Sequence, residues 1–355
     1  MSPIVAINPV DRAFYADRLR DFLPERLIDI HAHIWLPEHI APREPGQPVT
    51  WPERVADSCS VEDLLEHYRL MLPGKHVTPL IFSNPLRIAD LGVLNAYVQQ
   101  AAARHGLPAL LLTDPAWTAE ALESRLDAGG FLGAKVYHTF APPRSAREGI
   151  RIFDFVPPHL LDVLDRRRLI LMLHLPRSDR LRDPANLADL LEIERRWPGA
   201  RIIVAHVGRA YCPEDIGDAF ETLAPARRLL FDISANTNAG VFRRLLAAVG
   251  PRRILFGTDM PITRMRMRRI SENGTYINLV PRGLYGNVAA DPHMREVDGD
   301  EAANLTLFLY EELDAFRRAA VAEGLTPDDI QDVFYDNAAR LLDEAVGKTG
   351  KELPG

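Results

Sequence analysis

The feature that most constrains this chain is the alternation of short apolar runs with helical patterns. Eight runs have the length and apolar content of buried strands: 27–30, 77–82, 109–112, 131–137, 169–173, 202–205, 229–233 and 254–256. Segments with apolar residues at helical spacing lie between them, over 60–71, 87–105, 118–128, 157–167, 184–196, 214–223 and 239–249. Strands that alternate with helices form parallel sheets, and eight of them favour an α/β fold, the closed (β/α)₈ TIM barrel. A doubly wound open sheet is the alternative, but no GxGxxG sequence follows an early strand, which argues against its dinucleotide-binding version.

Two long segments interrupt this alternation within a single predicted domain over 1–355. Residues 36–58 contain five prolines and no clear period, which predicts a lid or binding loop. Residues 264–299 are rich in Arg, Gly, Asn and Pro and predict a second, irregular insertion. We expect a helix at 10–23 before the barrel and a C-terminal helical extension after it, at about 300–323 and 327–346.

Composition excludes several classes of protein. The 355 residues are 47% hydrophobic and 26% charged with a formal net charge of −7, which is typical of a globular protein and not of a nucleic-acid binder. The only cysteines, Cys59 and Cys212, are too distant in sequence to predict a disulfide framework or a cysteine zinc site. No apolar run is long enough to cross a membrane, and the first residues lack the apolar core of a signal peptide, so we expect a cytoplasmic protein.

Polar side chains suited to metal binding follow five of the predicted strands. His31 and His33 are two residues apart, and side chains alternate along a strand, so both point to the same side. The later strands end at Lys135, Tyr137 and His138, at His174, at His206 and at Asp259. The carboxyl ends of barrel strands meet at one rim, where catalytic groups lie. Four histidines and an aspartate on that rim predict a metal site, although each alone is compatible with a buried structural histidine or a capping aspartate.

A run of arginines directly after the eighth strand is the first candidate for substrate binding. It begins at Arg264 and continues with Arg266, Arg268 and Arg269. Guanidinium groups bind carboxylates through two parallel hydrogen bonds, so this run favours an anionic substrate with Arg264 as a contact. A solvated or oligomer-contacting basic loop is the alternative.

Four further residues near the strand ends are candidate substrate contacts. Lys135 is suited to an anionic group of the substrate, or else to a structural hydrogen bond inside the barrel. Trp35, Tyr137 and His138 are placed to form walls of a pocket, although aromatic residues at such positions also serve packing.

These motifs together resemble those of the amidohydrolase superfamily, in the branch called amidohydrolase 2 or amidohydrolase-related. The matching features are HxH after the first strand, the segment Gly133-Ala134-Lys135 at the fourth, histidines after the fifth and sixth, and Phe256-Gly257-Thr258-Asp259 after the eighth. The resemblance spans residues 28–261 and leaves both insertions outside.

The resemblance implies one divalent ion, zinc or alternatively manganese, held by His31, His33, His174 and Asp259. Asp259 is then the general base that takes a proton from the metal-bound water, and His206 polarises or orients the substrate carbonyl. Lys135 is expected to be unmodified, because the carbamylated lysine that bridges two ions in other superfamily members needs ligands that are not obvious here.

The activity implied by the resemblance is hydrolysis of an ester, lactone or amide bond in a small, carboxylated substrate. The start HxHxW, which ends at Trp35, resembles the sugar-lactone hydrolases of this branch. Non-oxidative decarboxylation of a small aromatic or unsaturated acid at the same site is the alternative, and a non-catalytic ligand-binding barrel is a third hypothesis. We expect a small-molecule substrate, no nucleic-acid or membrane partner, and a homo-oligomer, as a dimer.

Overall fold

Eight parallel strands close into a barrel in the computed structural model, which describes residues 5–43, 49–84, 90–141 and 149–349. The strands are β1 Arg26–Ile34, β2 His76–Ser83, β3 Leu111–Leu112, β4 Gly133–Val136, β5 Ile170–Leu173, β6 Arg201–Val204, β7 Leu230–Asp232 and β8 Ile254–Leu255. β1 pairs with β2, and β3 to β8 pair in sequence order. Parallel bridges from Ile81 to Ala109 and from Ala32 to Met260 join the two groups and close the barrel. The predicted TIM barrel is confirmed.

Helices cover the outside of the barrel where their apolar spacing predicted them. Those between the strands are Val61–Met71, Leu91–His105, Ala119–Gly129, Pro158–Arg167, Pro184–Arg196, Ala219–Thr222 and Ala239–Val249. The first begins at a capping box, because Ser60 accepts from the Asp63 amide and Asp63 accepts from the Ser60 amide. Ala239–Val249 buries Phe242, Leu245 and Leu246 on one face, each stabilising the fold by about 1.5–3 kcal/mol. The helix predicted at 214–223 is shorter, with only a 3₁₀ turn at Pro213–Asp215 before Ala219–Thr222.

The first strand is longer than the apolar run predicted. It continues through both histidines to Ile34, and every residue after Arg26 is buried. The Asp259 amide donates to the carbonyl oxygen of His31 at 2.8 Å, which holds the end of β8 against β1. The HxH pair therefore belongs to the strand itself and is fixed by pairing on both sides.

Two glycines allow close approach of the strands that carry site residues. A Cβ at Gly133 would lie 2.0 Å from the carbonyl oxygen of Ile170 on β5. A Cβ at Gly257 would lie 3.0 Å from the Cβ of His31. Both positions lie in the motif segments that precede Lys135 and Asp259, so the glycines serve packing of the strands beneath the site.

The second insertion is more ordered than the sequence analysis expected, and the prediction of an irregular 264–299 segment was wrong. It contains β9 Arg268–Glu272, β10 Thr275–Pro281 and β11 Met294–Val297, with β9 and β10 antiparallel. Asn273 and Gly274 connect them with φ values of 53° and 74°. An Asn-Gly pair between two β-rich runs is the strongest short-range signal for a hairpin, because both central residues of the turn need positive φ.

The remaining segments pack at the ends of the barrel. The N-terminal helix is Pro9–Phe14, followed by a π-helical turn at Tyr15–Leu19. In the 36–58 insertion only Pro37–His39 and Trp51–Val55 are helical, while 44–48 lies outside the described residues. The Trp51 indole donates to Asp291 at 2.6 Å, which ties this insertion to the second one.

The C-terminal extension consists of Gly299–Ala303, Phe308–Ala322, Pro327–Gln331, a π-helical turn at Asp332–Asp336, and Asn337–Thr349. The helix predicted at 300–323 is interrupted, because the amide of Met267 donates to Thr306 and the amide of Phe308 donates to Met265. In the described part of the chain, no helix has the length and apolar character needed to cross a membrane.

Candidate metal centre

Three of the predicted metal ligands converge at the carboxyl end of the barrel. Nε2 of His33 lies 3.2 Å and Nε2 of His31 lies 3.5 Å from Oδ1 of Asp259. The ligand atoms of the three residues all lie within 4.8 Å of one another. The two histidines approach from β1 and Asp259 from the turn after β8, so the closure of the barrel brings them together.

Hydrogen bonds at the far side of each ring orient the two imidazoles. Nδ1 of His31 lies 3.0 Å from Oδ2 of Asp232, and Nδ1 of His33 lies 3.1 Å from the carbonyl oxygen of Ser83. Both partners accept hydrogen bonds only, so we assign the proton of each neutral ring to Nδ1. This assignment leaves a lone pair on each Nε2, the atom that faces Asp259.

The arrangement of donor atoms fits a divalent cation. Burial and the charge of nearby Lys135 lower the pKa of His31 well below its ordinary value, so this ring is neutral at pH 7. Two imidazole lone pairs and a carboxylate oxygen then face one another, an arrangement that a cation between them stabilises. Imidazole nitrogen and carboxylate oxygen are ligands that zinc prefers in proteins.

Asp232 is the functional residue that sequence reasoning missed. It is completely buried and accepts from the His206 amide at 2.8 Å and from the Ser234 hydroxyl at 2.5 Å, in addition to its contact with His31. His31, His206 and Asp232 form a second compact group that could hold a metal. Because the Asp232 oxygens already accept these hydrogen bonds, we assign Asp232 to orienting the rings rather than to binding the metal. The available signal was a carboxylate inside the apolar run 229–233.

His206 and Asp259 both occupy left-handed backbone conformations immediately beyond β6 and β8. Their φ values are 57° and 59°. Such a conformation costs a residue with a Cβ about 1–2 kcal/mol, and strained residues of this kind cluster at functional sites. In His206, Nδ1 lies 3.1 Å from the carbonyl oxygen of Ser234, and its ring centroid lies 4.7 Å from that of His31.

His174 lines the same cavity but lies outside both compact groups. Its ring centroid is 5.0 Å from that of His206. Its Nδ1 is buried and has no hydrogen-bond partner among the described residues. A buried imidazole nitrogen without a partner is compatible with a metal ligand, and the role of His174 as the fourth ligand stays a prediction.

Charged groups in the site have strongly shifted pKa values. Burial tends to raise the pKa of Asp259, but contact with His33 and the neighbouring imidazoles outweigh it and lower the pKa to about 2. Lys135 is fully buried, with Nζ 3.3 Å from Nε2 of His31, and burial lowers its pKa to about 7. Asp259 is therefore ionised at neutral pH, and a substantial fraction of Lys135 is neutral.

A small cavity opens above these residues. Its volume is about 150 Å³, and besides His31, His33, His174, His206 and Asp259 it is lined by Trp35, Pro52, Asn84, Tyr137, Pro261 and Ile262. The Tyr137 hydroxyl lies 3.5 Å from Nε2 of His33. The Trp35 indole donates to the carbonyl oxygen of Asp57, so its N–H is already engaged. A cavity of this volume admits only a small molecule.

The comparison with protein families places this chain in one of them. A family model described as amidohydrolase matches residues 28–269. The chain belongs to this amidohydrolase family. No curated protein sequence matches the chain.

Solved structures similar to this amidohydrolase include members with two kinds of activity. A probable 2-pyrone-4,6-dicarboxylic acid hydrolase from Acinetobacter baumannii with citric acid bound is 13% identical, with a TM-score of 0.54 over 89% of this chain and 99% of that one. An amidohydrolase from Burkholderia multivorans with bound zinc gives the same four values. A dihydroxybenzoic acid decarboxylase from Polaromonas sp. JS666 with bound manganese and the inhibitor 2-nitroresorcinol is 15% identical, with a TM-score of 0.52 over 90% and 97%. These likenesses show a shared fold.

Two predicted substrate contacts of this amidohydrolase lie away from the cavity. Arg264 is buried, with its guanidinium 3.2 Å from Nε2 of His67 and donating to the carbonyl oxygen of Val55, so it joins the first insertion to the barrel. Arg264 is not among the residues that line the cavity, and its role as a substrate contact stays a prediction. His138 stacks with its ring centroid 6.3 Å from that of His174 and is not among the lining residues.

Proposed function

We propose that this amidohydrolase binds one divalent metal ion through His31, His33, His174 and Asp259 and hydrolyses an ester, lactone or amide bond of a small, carboxylated substrate. The observation that supports this proposal is the convergence of two Nε2 atoms and one carboxylate oxygen within 4.8 Å at the base of a cavity. An ion held there would lower the pKa of a bound water towards 7 and polarise a substrate carbonyl. Zinc suits these ligands, and manganese is the alternative, in line with the zinc and manganese in the two relatives.

Asp259 is the proposed general base. Its pKa of about 2 keeps the carboxylate ionised throughout the physiological pH range. Its side chain is 18% exposed, so one oxygen contacts the histidines while the group remains open to the cavity. A carboxylate in this position can take the proton of the attacking water, a contribution worth about 10²–10⁴-fold in rate.

His206 is the proposed residue that orients the substrate. Its Nδ1 proton is held by Ser234, so Nε2 of the neutral ring accepts a hydrogen bond from water or from a substrate hydroxyl. Because the Nδ1 proton is engaged, Nε2 could donate to a carbonyl only in the doubly protonated ring, and burial lowers the pKa of His206 against the opposing charges of Asp259 and Asp232. We therefore infer that the neutral ring orients the substrate through Nε2 as an acceptor.

Lys135 and Tyr137 complete the proposed substrate environment. Burial raises the pKa of Tyr137 well above its ordinary value, so its hydroxyl stays protonated and can donate to the substrate. Lys135 is completely out of solvent, and its Nζ lies 3.3 Å from Nε2 of His31, the atom that faces Asp259, so its charge acts on the ligand atoms. A centre with two ions bridged by carbamylated Lys135 is the alternative form.

Non-oxidative decarboxylation is the second candidate reaction. Trp35 and Tyr137 line the cavity, and aromatic side chains of this kind suit an aromatic acid. In this reaction the same residues would hold the substrate, the bond to the carboxylate would break, and CO₂ would leave as a proton takes its place. The decarboxylase and the hydrolase among the structural relatives support both candidates at the level of the fold.

A panel of lactones, esters and aromatic acids, assayed for acid release and for CO₂ release, distinguishes the two reactions. We expect acid release, and we expect Asp259→Asn to lower it by about 100-fold or more because the amide cannot accept the proton. Asp162→Asn is the matched control, since Asp162 accepts from the Trp197 indole on the outer helices. Wild-type turnover in Asp259→Asn would contradict the assignment, and CO₂ release without acid release from esters would replace hydrolysis by decarboxylation.

A further inference from the structure

Three arginines and two tyrosines pack together next to the site, and we call them the arginine–tyrosine cluster. Cζ of Arg269 lies 4.7 Å from the ring centroid of Tyr211 and 4.6 Å from that of Tyr276. Cζ of Arg180 lies 5.4 Å and 5.1 Å from the same two rings, which are themselves 5.0 Å apart. Arg209 is the third arginine, two residues before Tyr211. All five residues are half-buried.

The cluster is assembled at the same rim of the barrel as the metal centre. Arg180 lies in the loop after β5, six residues beyond His174, and Arg209 lies three residues beyond His206. Arg269 comes from β9 and Tyr276 from β10, so the hairpin of the second insertion completes the cluster. Nη1 of Arg269 donates at 2.7 Å to the carbonyl oxygen of Ala235, the neighbour of the serine that holds His206.

Positive charge in the cluster exceeds its carboxylate partners. Arg180 is paired with Asp215, at 2.8 Å from each oxygen, while its Nε is buried and has no partner among the described residues. Arg209 donates to two backbone carbonyl oxygens, and Arg269 donates to a backbone carbonyl and to the side chain of Asn278. Among the described residues, no ion pair of Arg209 or Arg269 with a carboxylate is present. Half-buried guanidinium groups without a counter-charge are costly, and a bound anion offsets that cost.

A hydrogen bond connects the cluster to the segment that carries His174. Nη1 of Arg209 donates at 3.1 Å to the carbonyl oxygen of Leu175, the residue after His174. The five residues of the cluster are not among those that line the cavity, so a substrate that reaches both the cluster and the metal centre extends beyond this cavity.

We propose that the arginine–tyrosine cluster is an anion-binding subsite that holds a carboxylate of the substrate at a distance from the bond that reacts. Guanidinium forks bind a planar carboxylate through paired hydrogen bonds, and the two tyrosine hydroxyls supply further donors. The subsite rests on the proposed function. Its substrate class is small molecules that carry a carboxylate away from the bond that reacts. The cluster would thus bind the substrate carboxylate, the role that the sequence predicted for Arg264.

Binding of a carboxylate and of its neutral counterpart tests the subsite. Benzoate and benzamide are titrated into the purified full-length protein by calorimetry, since they share a ring and differ in charge. We expect benzoate to bind about tenfold or more tightly than benzamide, and we expect Arg209→Gln and Arg269→Gln each to remove most of that preference. Arg282→Gln is the matched control, because Arg282 lies in the same insertion, is exposed, and pairs with Asp298 and Glu296.

Two outcomes would overturn the subsite. One is equal binding of benzoate and benzamide to the wild-type protein, and the other is a benzoate preference that survives in folded Arg209→Gln. Urea unfolding of each variant shows whether it is folded. If Arg209→Gln does not unfold cooperatively, Arg209→Lys takes its place in the test. Lysine keeps the charge without the guanidinium fork, so we expect it to retain only part of the preference for benzoate.

Hydrolysis of paired esters, one neutral and one with a remote carboxylate, separates this inference from the proposed function. Arginine-dependent benzoate binding without turnover of any ester, lactone or amide would overturn the proposed function and leave the subsite standing. Equal turnover of both esters, unchanged in Arg209→Gln, would overturn the subsite and leave the proposed function standing.

Discussion

Replacing Asp232 by asparagine tests how the protein prepares His31 for the metal. Oδ1 of Asp232 accepts from the amides of His206 and Ser234 and from the Ser234 hydroxyl. Among the residues that the structure describes, Oδ2 has a hydrogen-bond contact only with Nδ1 of His31. The single side-chain oxygen of asparagine would take the place of Oδ1, because three hydrogen-bond donors point to that position. Its NH₂ group would then face the N–H at Nδ1 of His31, and two donors cannot form a hydrogen bond with each other.

The consequence for His31 is a change of tautomer. The ring can relieve the opposition by moving its proton from Nδ1 to Nε2, the atom that faces Asp259. A protonated Nε2 cannot bind a metal, so binding must first reverse the change. A hydrogen bond to a charged group contributes about 1.5–3 kcal/mol, which corresponds to about 10–100-fold in metal affinity.

Competition with a chromogenic chelator measures this affinity for zinc and for manganese. We predict that Asp232→Asn weakens binding by about 10–100-fold while unfolding by urea remains cooperative. Asp162→Asn, the same change on an outer helix, should bind the metal as the wild type does. Wild-type affinity in a folded Asp232→Asn protein would refute the reasoning that Asp232 sets the tautomer of His31.

Two further substitutions test the burial of Lys135 and the approach of β8 to β1. Burial lowers the pKa of Lys135 from 10.5 to about 7. Between pH 7 and pH 10.5 the unfolded chain therefore holds a proton that the folded chain has lost. The free energy of unfolding of the metal-free protein then rises with pH across that interval. Lys135→Met should remove this rise between pH 7 and about pH 10, measured by urea unfolding, and parallel pH profiles for the two proteins would contradict it. Gly257→Ala should destabilise by about 1–3 kcal/mol and weaken metal binding, because the new Cβ would lie 3.0 Å from that of His31. Gly347→Ala is its control, since nothing lies within 4 Å of that position in the terminal helix, and it should stabilise by about 0.5–1 kcal/mol.

The barrel was predictable because its strands are buried on both faces. A strand of this kind is a continuous apolar run, and the burial patterns of β4 and β5 show no exposed residue. The small sheet of the second insertion was not predicted, because β9 has exposed and half-buried residues and no apolar run. Its hairpin was visible only in the Asn273-Gly274 pair.

The candidate site was predictable where chemistry coincides with a strand end. His31, His33 and Asp259 carry ligand atoms and lie at such positions, so topology alone brings them to one rim. Asp232 was missed because it lies within an apolar run, where its role depends on a contact with a residue 201 positions away. The contact of Arg264 with His67, 197 positions away, was not predictable, because a position after the eighth strand does not show where a side chain turns.

The metal content of the purified protein tests the central claim most directly. We predict about one divalent ion per chain in the wild type, by elemental analysis after removal of loosely bound ions, and a strong loss when His31 and His33 are both replaced by alanine. No stoichiometric metal in the wild-type protein, together with no activity gained on adding zinc or manganese, would contradict the account.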